Sequence, residues 1–175
     1  MRKTRFAEFA LVAALLISTG LFAQQAGSGS PASGGTKESL TLRSPDHEAV
    51  TLTDLKALPH ISATVHNSHT NADETYSGVR LADLLGKIGA PLGDRLHGAA
   101  LANYIVATGS DGYKAVLALG EVDPSFHPGE VIVADAMNGK PLDEHNGPFK
   151  LVVTEDKRPA RAVRNLVSIE LKVAQ

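Results

Sequence analysis

The chain has 175 residues, a formal net charge of −2 at pH 7 and no cysteine. The lack of cysteine excludes disulfides, thiolate catalysis and metal sites with cysteine thiolate ligands. A slightly acidic chain without a basic cluster also does not have the charge of a nucleic-acid-binding protein.

The first 23 residues have the order of a secretory signal peptide. Arg2, Lys3 and Arg5 precede the apolar run ALVAALLISTGLFA, which closes on the small residue Ala23. As a helix this run would span about 21 Å, less than the roughly 30 Å hydrocarbon core of a bilayer. We therefore expect cleavage and export to the periplasm or the exterior, with no stable membrane span afterwards. No adjacent arginine pair is present, so the chain is expected to cross the membrane unfolded.

Residues 24–38 predict a flexible linker, because QQAGSGSPASGG is almost entirely Gly, Ser, Ala, Gln and Pro. Residues 39–175 are long enough to form one domain with its own core. Without the signal peptide the chain keeps 14 basic and 18 acidic residues, a net charge of −4.

Short alternating runs in the domain predict an α+β fold, a β-rich mixed sheet with few short helices. Residues 40–43 and 49–52 alternate apolar and polar side chains and predict a hairpin. Residues 53–58 predict a short helical turn that Thr53 caps, and residues 61–66 predict a further strand.

The polar stretch HNSHTNADETYSG, residues 66–78, follows that strand directly and is predicted to be a loop. His66 and His69, with Asp73 or Glu74, supply imidazole and carboxylate ligands that suit a first-row transition metal. His-x-x-His brings both rings together only on a helix or a tight turn. A polar loop that bonds its own backbone explains the same residues without a ligand, and the sequence leaves both interpretations open.

The next segment, residues 79–89, predicts a helix because four apolar side chains share one face and Gly89 ends the pattern. Turn residues then separate five short β-type runs. These predicted strands cover residues 101–107, 113–117, 131–134, 149–153 and 167–173.

Five sequence motifs in a fixed order give the chain a family resemblance. They are YSGVRLADLL (76–85), GSDGY (109–113), VIVADAMNGKPL (131–142), HNGPFKLVV (145–153) and ARAVRNL (160–166). From about residue 52 to residue 171 the chain resembles the molybdopterin-binding oxidoreductase domain of sulfite oxidase and its bacterial relatives. The resemblance implies the fold of that domain and molybdopterin as the cofactor.

The resemblance also implies a set of cofactor-binding residues. Arg161 and Arg164 match a basic pair that faces the pterin and its phosphate, and arginine suits that role because its donors pair two phosphate oxygens at once. His145 matches a histidine facing the cofactor, although Asn146 shifts the spacing by one. Asp111 and Tyr113 lie in a loop that matches one near the family's pocket. The alternative for both arginines is pairing with surface carboxylates.

Three features depart from the family pattern. The family's enzymes bind molybdenum through a cysteine thiolate in the loop that matches residues 66–78, and here only Ser68, His69 and Thr70 are available at that place. The family's Pro-Gly segment is replaced by TEDKRP, residues 154–159, whose two acids repel a phosphate. Export without paired arginines is the third departure, because this cofactor is inserted in the cytoplasm before export.

These departures predict an exported ligand-binding or accessory module without molybdenum catalysis. Its partner is an unidentified periplasmic protein or a small ligand. The alternative is a periplasmic oxidoreductase that retains a molybdopterin, or a metal held by His66 and His69. A third hypothesis is an interaction domain displayed on the linker.

Overall fold

The computed structural model describes residues 39–68 and 70–174. The predicted signal peptide and linker lie outside the described residues, as does His69. Within the described residues no helix is long and apolar enough to cross a membrane.

The described residues form ten β-strands, one α-helix and four short 3-10 helices. The strands are β1 (Leu40–Ser44), β2 (His47–Leu52), β3 (Ile61–Asn67), β4 (Ala72–Arg80), β5 (Asn103–Gly109), β6 (Lys114–Ala118), β7 (Val131–Met137), β8 (Lys140–Pro141), β9 (Lys150–Val153) and β10 (Leu166–Val173). The helices are α1 (Leu81–Gly86) and the 3-10 segments Gly93–Arg95, Gly98–Ala102, Leu119–Glu121 and Pro159–Arg161.

The strands build two sheets. The first has the order β2-β1-β10-β5-β6, and its β1–β10 pair is parallel. The second has the order β3-β4-β7-β8, with β9 also paired to β7. Both are compatible with the predicted mixed sheet and few helices, but most of the regular structure is strand, so the α+β class describes the fold only roughly.

The main core joins side chains of both sheets and of α1, among them Leu42, Leu85 and Ile105. Strand β7 is buried on both faces and alternates between two clusters. Val133 belongs to the main core, whereas Ile132 belongs to a smaller cluster on the other face of the second sheet. This second face matters for function because it forms the floor of a cavity.

The predicted hairpin near the start of the domain is confirmed as β1 and β2. The prediction that residues 66–78 form a loop was wrong. This stretch completes β3 and forms most of β4, and the two strands pair in register from Ile61 to Asn67. The polar side chains were mistaken for loop residues because they lie on the exposed, hydrogen-bonded part of a hairpin, where Thr64 and Thr75 bond across the strands at 3.0 Å.

Three other boundaries differ from the sequence prediction. The predicted helix of residues 79–89 is confirmed only as α1, since its first two residues extend β4. The predicted helical turn of residues 53–58 is a single turn closed by the Leu58 amide and the Leu55 carbonyl at 2.9 Å. The predicted strand at 101–107 starts two residues later, because residues 98–102 form a 3-10 helix.

Candidate ligand-binding site

A cavity of about 670 Å³ lies over the second face of the second sheet. Val65, Tyr76 and Val152 line its floor, so β3, β4 and β9 each contribute. Its walls come from three loops, at residues 111–113, 145–146 and 156–164. The volume suits a ligand of the size of a cofactor or metabolite.

Four of the five residues that the resemblance implies for cofactor binding line this cavity. They are Asp111, Tyr113, His145 and Arg164. The structure therefore brings together residues that are up to 53 positions apart in the sequence. Arg161 is the exception, because its side chain makes other contacts.

Arg161 is held by two carboxylates. Its Nε and Nη2 donate to the two oxygens of Asp156 at 2.9 and 2.6 Å, and its Nη1 donates to Oε1 of Glu121 at 2.7 Å. These hydrogen bonds raise the pKa of the guanidinium further above its usual value. Arg161 therefore pairs with carboxylates, which is the alternative considered in the sequence analysis. This pairing fixes the segment that carries Arg164, and it occupies the Arg161 guanidinium that a ligand would need.

Arg164 has a different environment. It is exposed, and its Nη1 donates to Nε2 of His145. Within the part of the chain that the structure describes, it forms no ion pair with a carboxylate. A guanidinium whose partner is a histidine ring and not a carboxylate keeps its charge and further donors for an anionic ligand.

The loop of Asp111 and Tyr113 is tied to the same wall. Oδ1 of Asp111 accepts from the Tyr113 amide at 2.9 Å, and the Tyr113 hydroxyl donates to the carbonyl of Ala160 at 2.5 Å. This hydrogen bond joins the loop of residues 111–113 to the segment of residues 156–164, two of the three walls of the cavity. The two residues thus help to shape the pocket, with the Tyr113 ring 48% exposed.

A polar network on the floor of the cavity was missed by the sequence analysis. Oε1 of Glu74 accepts from Nδ2 of Asn67 at 2.6 Å, and Oε2 accepts from the Tyr76 hydroxyl at 2.7 Å. The Tyr76 oxygen in turn accepts from Nζ of Lys150 at 2.7 Å. Nζ also donates to Oδ1 of Asn146 at 3.1 Å and lies 4.6 Å from the centre of the Tyr76 ring.

Burial shifts the pKa values of this network. Burial and the hydrogen bond to Glu74 raise the pKa of the Tyr76 hydroxyl, which therefore stays protonated. Burial opposes ionisation of Glu74, but the hydrogen bonds from Asn67 and Tyr76 outweigh it and lower the pKa of that carboxyl. Burial lowers the pKa of the Lys150 ammonium; the charge of Glu74 opposes this shift and that of Arg164 adds to it.

A signal for Lys150 was present in the sequence. In FKLVV, residues 149–153, alternation places Lys150 and Val152 on one face and Phe149 and Leu151 on the other. Lys150 is the only charged side chain in this run, and the sequence analysis gave it no role.

The structure does not bring the predicted metal ligands into one cluster. Nδ1 of His66 lies 2.9 Å from Oδ1 of Asp73, whereas Glu74 bonds to Asn67 and Tyr76. Asp73, the partner of His66, and Glu74 are successive residues of β4, so their side chains point to opposite faces of the sheet. No group of three or more His, Asp or Glu in the described residues suits a metal ion, and His69 lies outside them.

The cavity over the second sheet thus presents cationic, hydroxyl and amide groups to one enclosed space. The chain belongs to the oxidoreductase molybdopterin binding domain family, whose model matches residues 43–174. The resemblance inferred from the five motifs is thereby confirmed.

One solved structure supports the fold. The chain is similar to the sulfane dehydrogenase SoxCD from Paracoccus pantotrophus, with a TM-score of 0.60 and 18% sequence identity. The match covers 79% of this chain and 40% of that chain, so the present chain spans about two fifths of the length of SoxCD's matched chain. No curated protein matches this sequence.

The polar groups of the cavity fit the phosphate and the ring of a molybdopterin better than they fit its molybdenum. Arg164 and Lys150 supply cationic donors suited to a phosphate, and Asn146 supplies an amide for the polar edge of a ring. A thiolate ligand for molybdenum has no counterpart, because the chain contains no cysteine. The residues therefore fit an anionic organic ligand and do not fit a metal held by a cysteine thiolate.

Proposed function

We propose that this domain is a binding module for a small anionic ligand with a planar ring, and that it does not perform molybdenum catalysis. The observation that carries the proposal is the cavity in which Arg164, free of any described carboxylate, faces the same space as Lys150. Family membership supports a pterin-type ligand for this cavity. The absence of cysteine removes the thiolate on which the metal chemistry of the family depends.

Most charged groups of the site are linked to one another, whereas Arg164 remains available for a ligand. Asp156 is neutralised by Arg161 at 2.6 Å, and Glu74 is linked to Lys150 through the Tyr76 hydroxyl. Arg164 is left to attract an anion, and the apolar side chains of the floor, Val65 and Val152, accept a flat ring.

Titration calorimetry with guanosine monophosphate tests this proposal, because the probe joins a phosphate to a ring that shares the amino-oxo edge of a pterin. We expect binding that is tighter than that of inorganic phosphate. Arg164→Ala is expected to weaken binding at least about tenfold, since a charge-assisted hydrogen bond contributes about 1.5 kcal/mol or more.

Arg158→Ala is the matched control. Arg158 is an exposed arginine in the same segment but does not line the cavity. Its removal is expected to leave the affinity within about twofold, because an exposed charge that does not contact the ligand is largely screened by solvent and salt. Absence of binding by the unaltered protein, or equal losses in both variants, would contradict the proposal.

An oxidoreductase that retains molybdopterin is the second candidate, favoured by the family match. The two candidates differ in metal content, because a molybdopterin oxidoreductase is expected to hold molybdenum and a binding module is not. A first-row metal held by His66 and His69 is the remaining form of this candidate.

The proposal includes export. It rests on the order of basic, apolar and small residues before Gln24 and on the Gly/Ser-rich linker that follows. The intact mass of the exported chain is expected to correspond to a start at Gln24, and an uncleaved chain retained inside the cell would contradict it.

A further inference from the structure

The amine of Lys150 has an unusual set of neighbours. Its two hydrogen-bond partners, the Tyr76 hydroxyl and the Asn146 side-chain carbonyl, are both neutral. Within the described residues it forms no ion pair with a carboxylate. It is also the one lysine among the described residues that line the cavity.

A desolvated lysine near a second cation is the environment that makes an amine nucleophilic. Burial lowers the pKa of Lys150 and outweighs the opposing charge of Glu74, and the charge of Arg164 contributes in the same direction as burial. The Tyr76 ring beneath the amine and the hydrogen bonds to Nζ hold it in place. An exposed lysine with a freely rotating stem lacks all three features.

We propose that Lys150 forms an imine with a small carbonyl compound that carries a carboxylate or phosphate, such as an aldehyde acid or a 2-oxo acid. The inference rests on the proposed function, because Arg164 would hold the anionic group while Lys150 meets the carbonyl. It adds a second class of ligand for the same cavity, which shares the anionic group of the first but does not need its planar ring.

The step balances without an oxidant or reductant. The ammonium of Lys150 gives one proton to solvent, and the amine lone pair forms a bond to the carbonyl carbon. The carbonyl oxygen takes one proton from the nitrogen and one from solvent and leaves as water. The product is a protonated imine on Nζ.

The Tyr76 hydroxyl supports this step without reacting. It donates to Glu74 and so presents an oxygen lone pair to Lys150. The hydroxyl oxygen accepts a hydrogen bond from Nζ and so orients the amine within the cavity. Tyr76 is therefore a positioning residue, whereas Lys150 is the nucleophile.

Trapping with glyoxylate tests the proposal on the full mature chain. Cyanoborohydride reduces any imine to a stable amine, and peptide mass spectrometry locates it. We expect Lys150 to be labelled at least about tenfold faster than Lys114 and Lys140, two exposed strand lysines. Lys140→Arg is the matched control and is expected to leave labelling of Lys150 unchanged.

The outcomes separate this proposal from the proposed function. Labelling of Lys150 at the rate of the exposed lysines, or no labelling of it in a chain that binds guanosine monophosphate, would overturn the imine proposal alone. Fast labelling of Lys150 in a chain that binds neither phosphate nor the nucleotide would support the imine and overturn anion binding. Circular dichroism of each variant establishes that the chain compared is folded.

Discussion

Replacing Gly78 with alanine is expected to lower the free energy of unfolding by about 3 kcal/mol. Gly78 lies in β4 where the pairing with β7 shifts register between Ser77 and Gly78. A Cβ at this position would overlap the carbonyl oxygen of Val133 and lie 2.5 Å from Cα of Ala134. Both atoms are backbone of a strand buried on both faces, so neither can move aside without disturbing the sheet.

Gly86→Ala is the control for this substitution. Gly86 is the last residue of α1, and a Cβ there would meet nothing within 4 Å. Alanine is expected to leave stability equal or to raise it by less than about 1 kcal/mol, because glycine is a poorer helix former. Urea unfolding measures both, and similar free energies of unfolding for the two variants would contradict the close approach of β4 and β7.

Tyr76→Phe is expected to destabilise the domain by about 2 kcal/mol. The ring is 2% exposed and its hydroxyl joins Glu74 to Lys150. Phenylalanine keeps the packing of the ring but leaves a carboxylate and an ammonium without a shared partner. The cost follows from the loss of hydrogen bonds to two charged groups in a partly buried site.

The matched control is Tyr104→Phe on β5. No hydrogen bond is made by the Tyr104 hydroxyl within the described residues, so its loss is expected to change stability by less than about 0.5 kcal/mol. Guanidinium unfolding of both variants decides the point. A Tyr76→Phe protein as stable as the unaltered chain would show that the network contributes nothing to the fold.

Much of the fold was predictable because strand alternation and turn residues are local signals. The hairpin of β1 and β2, the helix α1 and the later strands all follow from apolar spacing. The hairpin at residues 66–78 was not predicted, since its polar side chains satisfy one another across β3 and β4. Pairs such as Asn67 with Glu74 depend on the register of two strands, which a single sequence does not display.

The site was predictable only in part. Arg164, His145, Asp111 and Tyr113 were identified because they lie in family motifs, and the structure places all four around one cavity. The pairing of Arg161 with Glu121 and Asp156 needed three-dimensional information, since Glu121 is 40 residues away. The neutral hydrogen-bond partners of Lys150 likewise arise from packing and not from the local sequence.

The content of molybdenum per chain tests the central claim most directly. It is measured by plasma mass spectrometry on the protein purified from its native export compartment, alongside zinc, copper and iron. A binding module without protein thiolate ligands is expected to contain far less than one molybdenum per chain. A content close to one molybdenum per chain would contradict the account and identify a cysteine-free oxidoreductase.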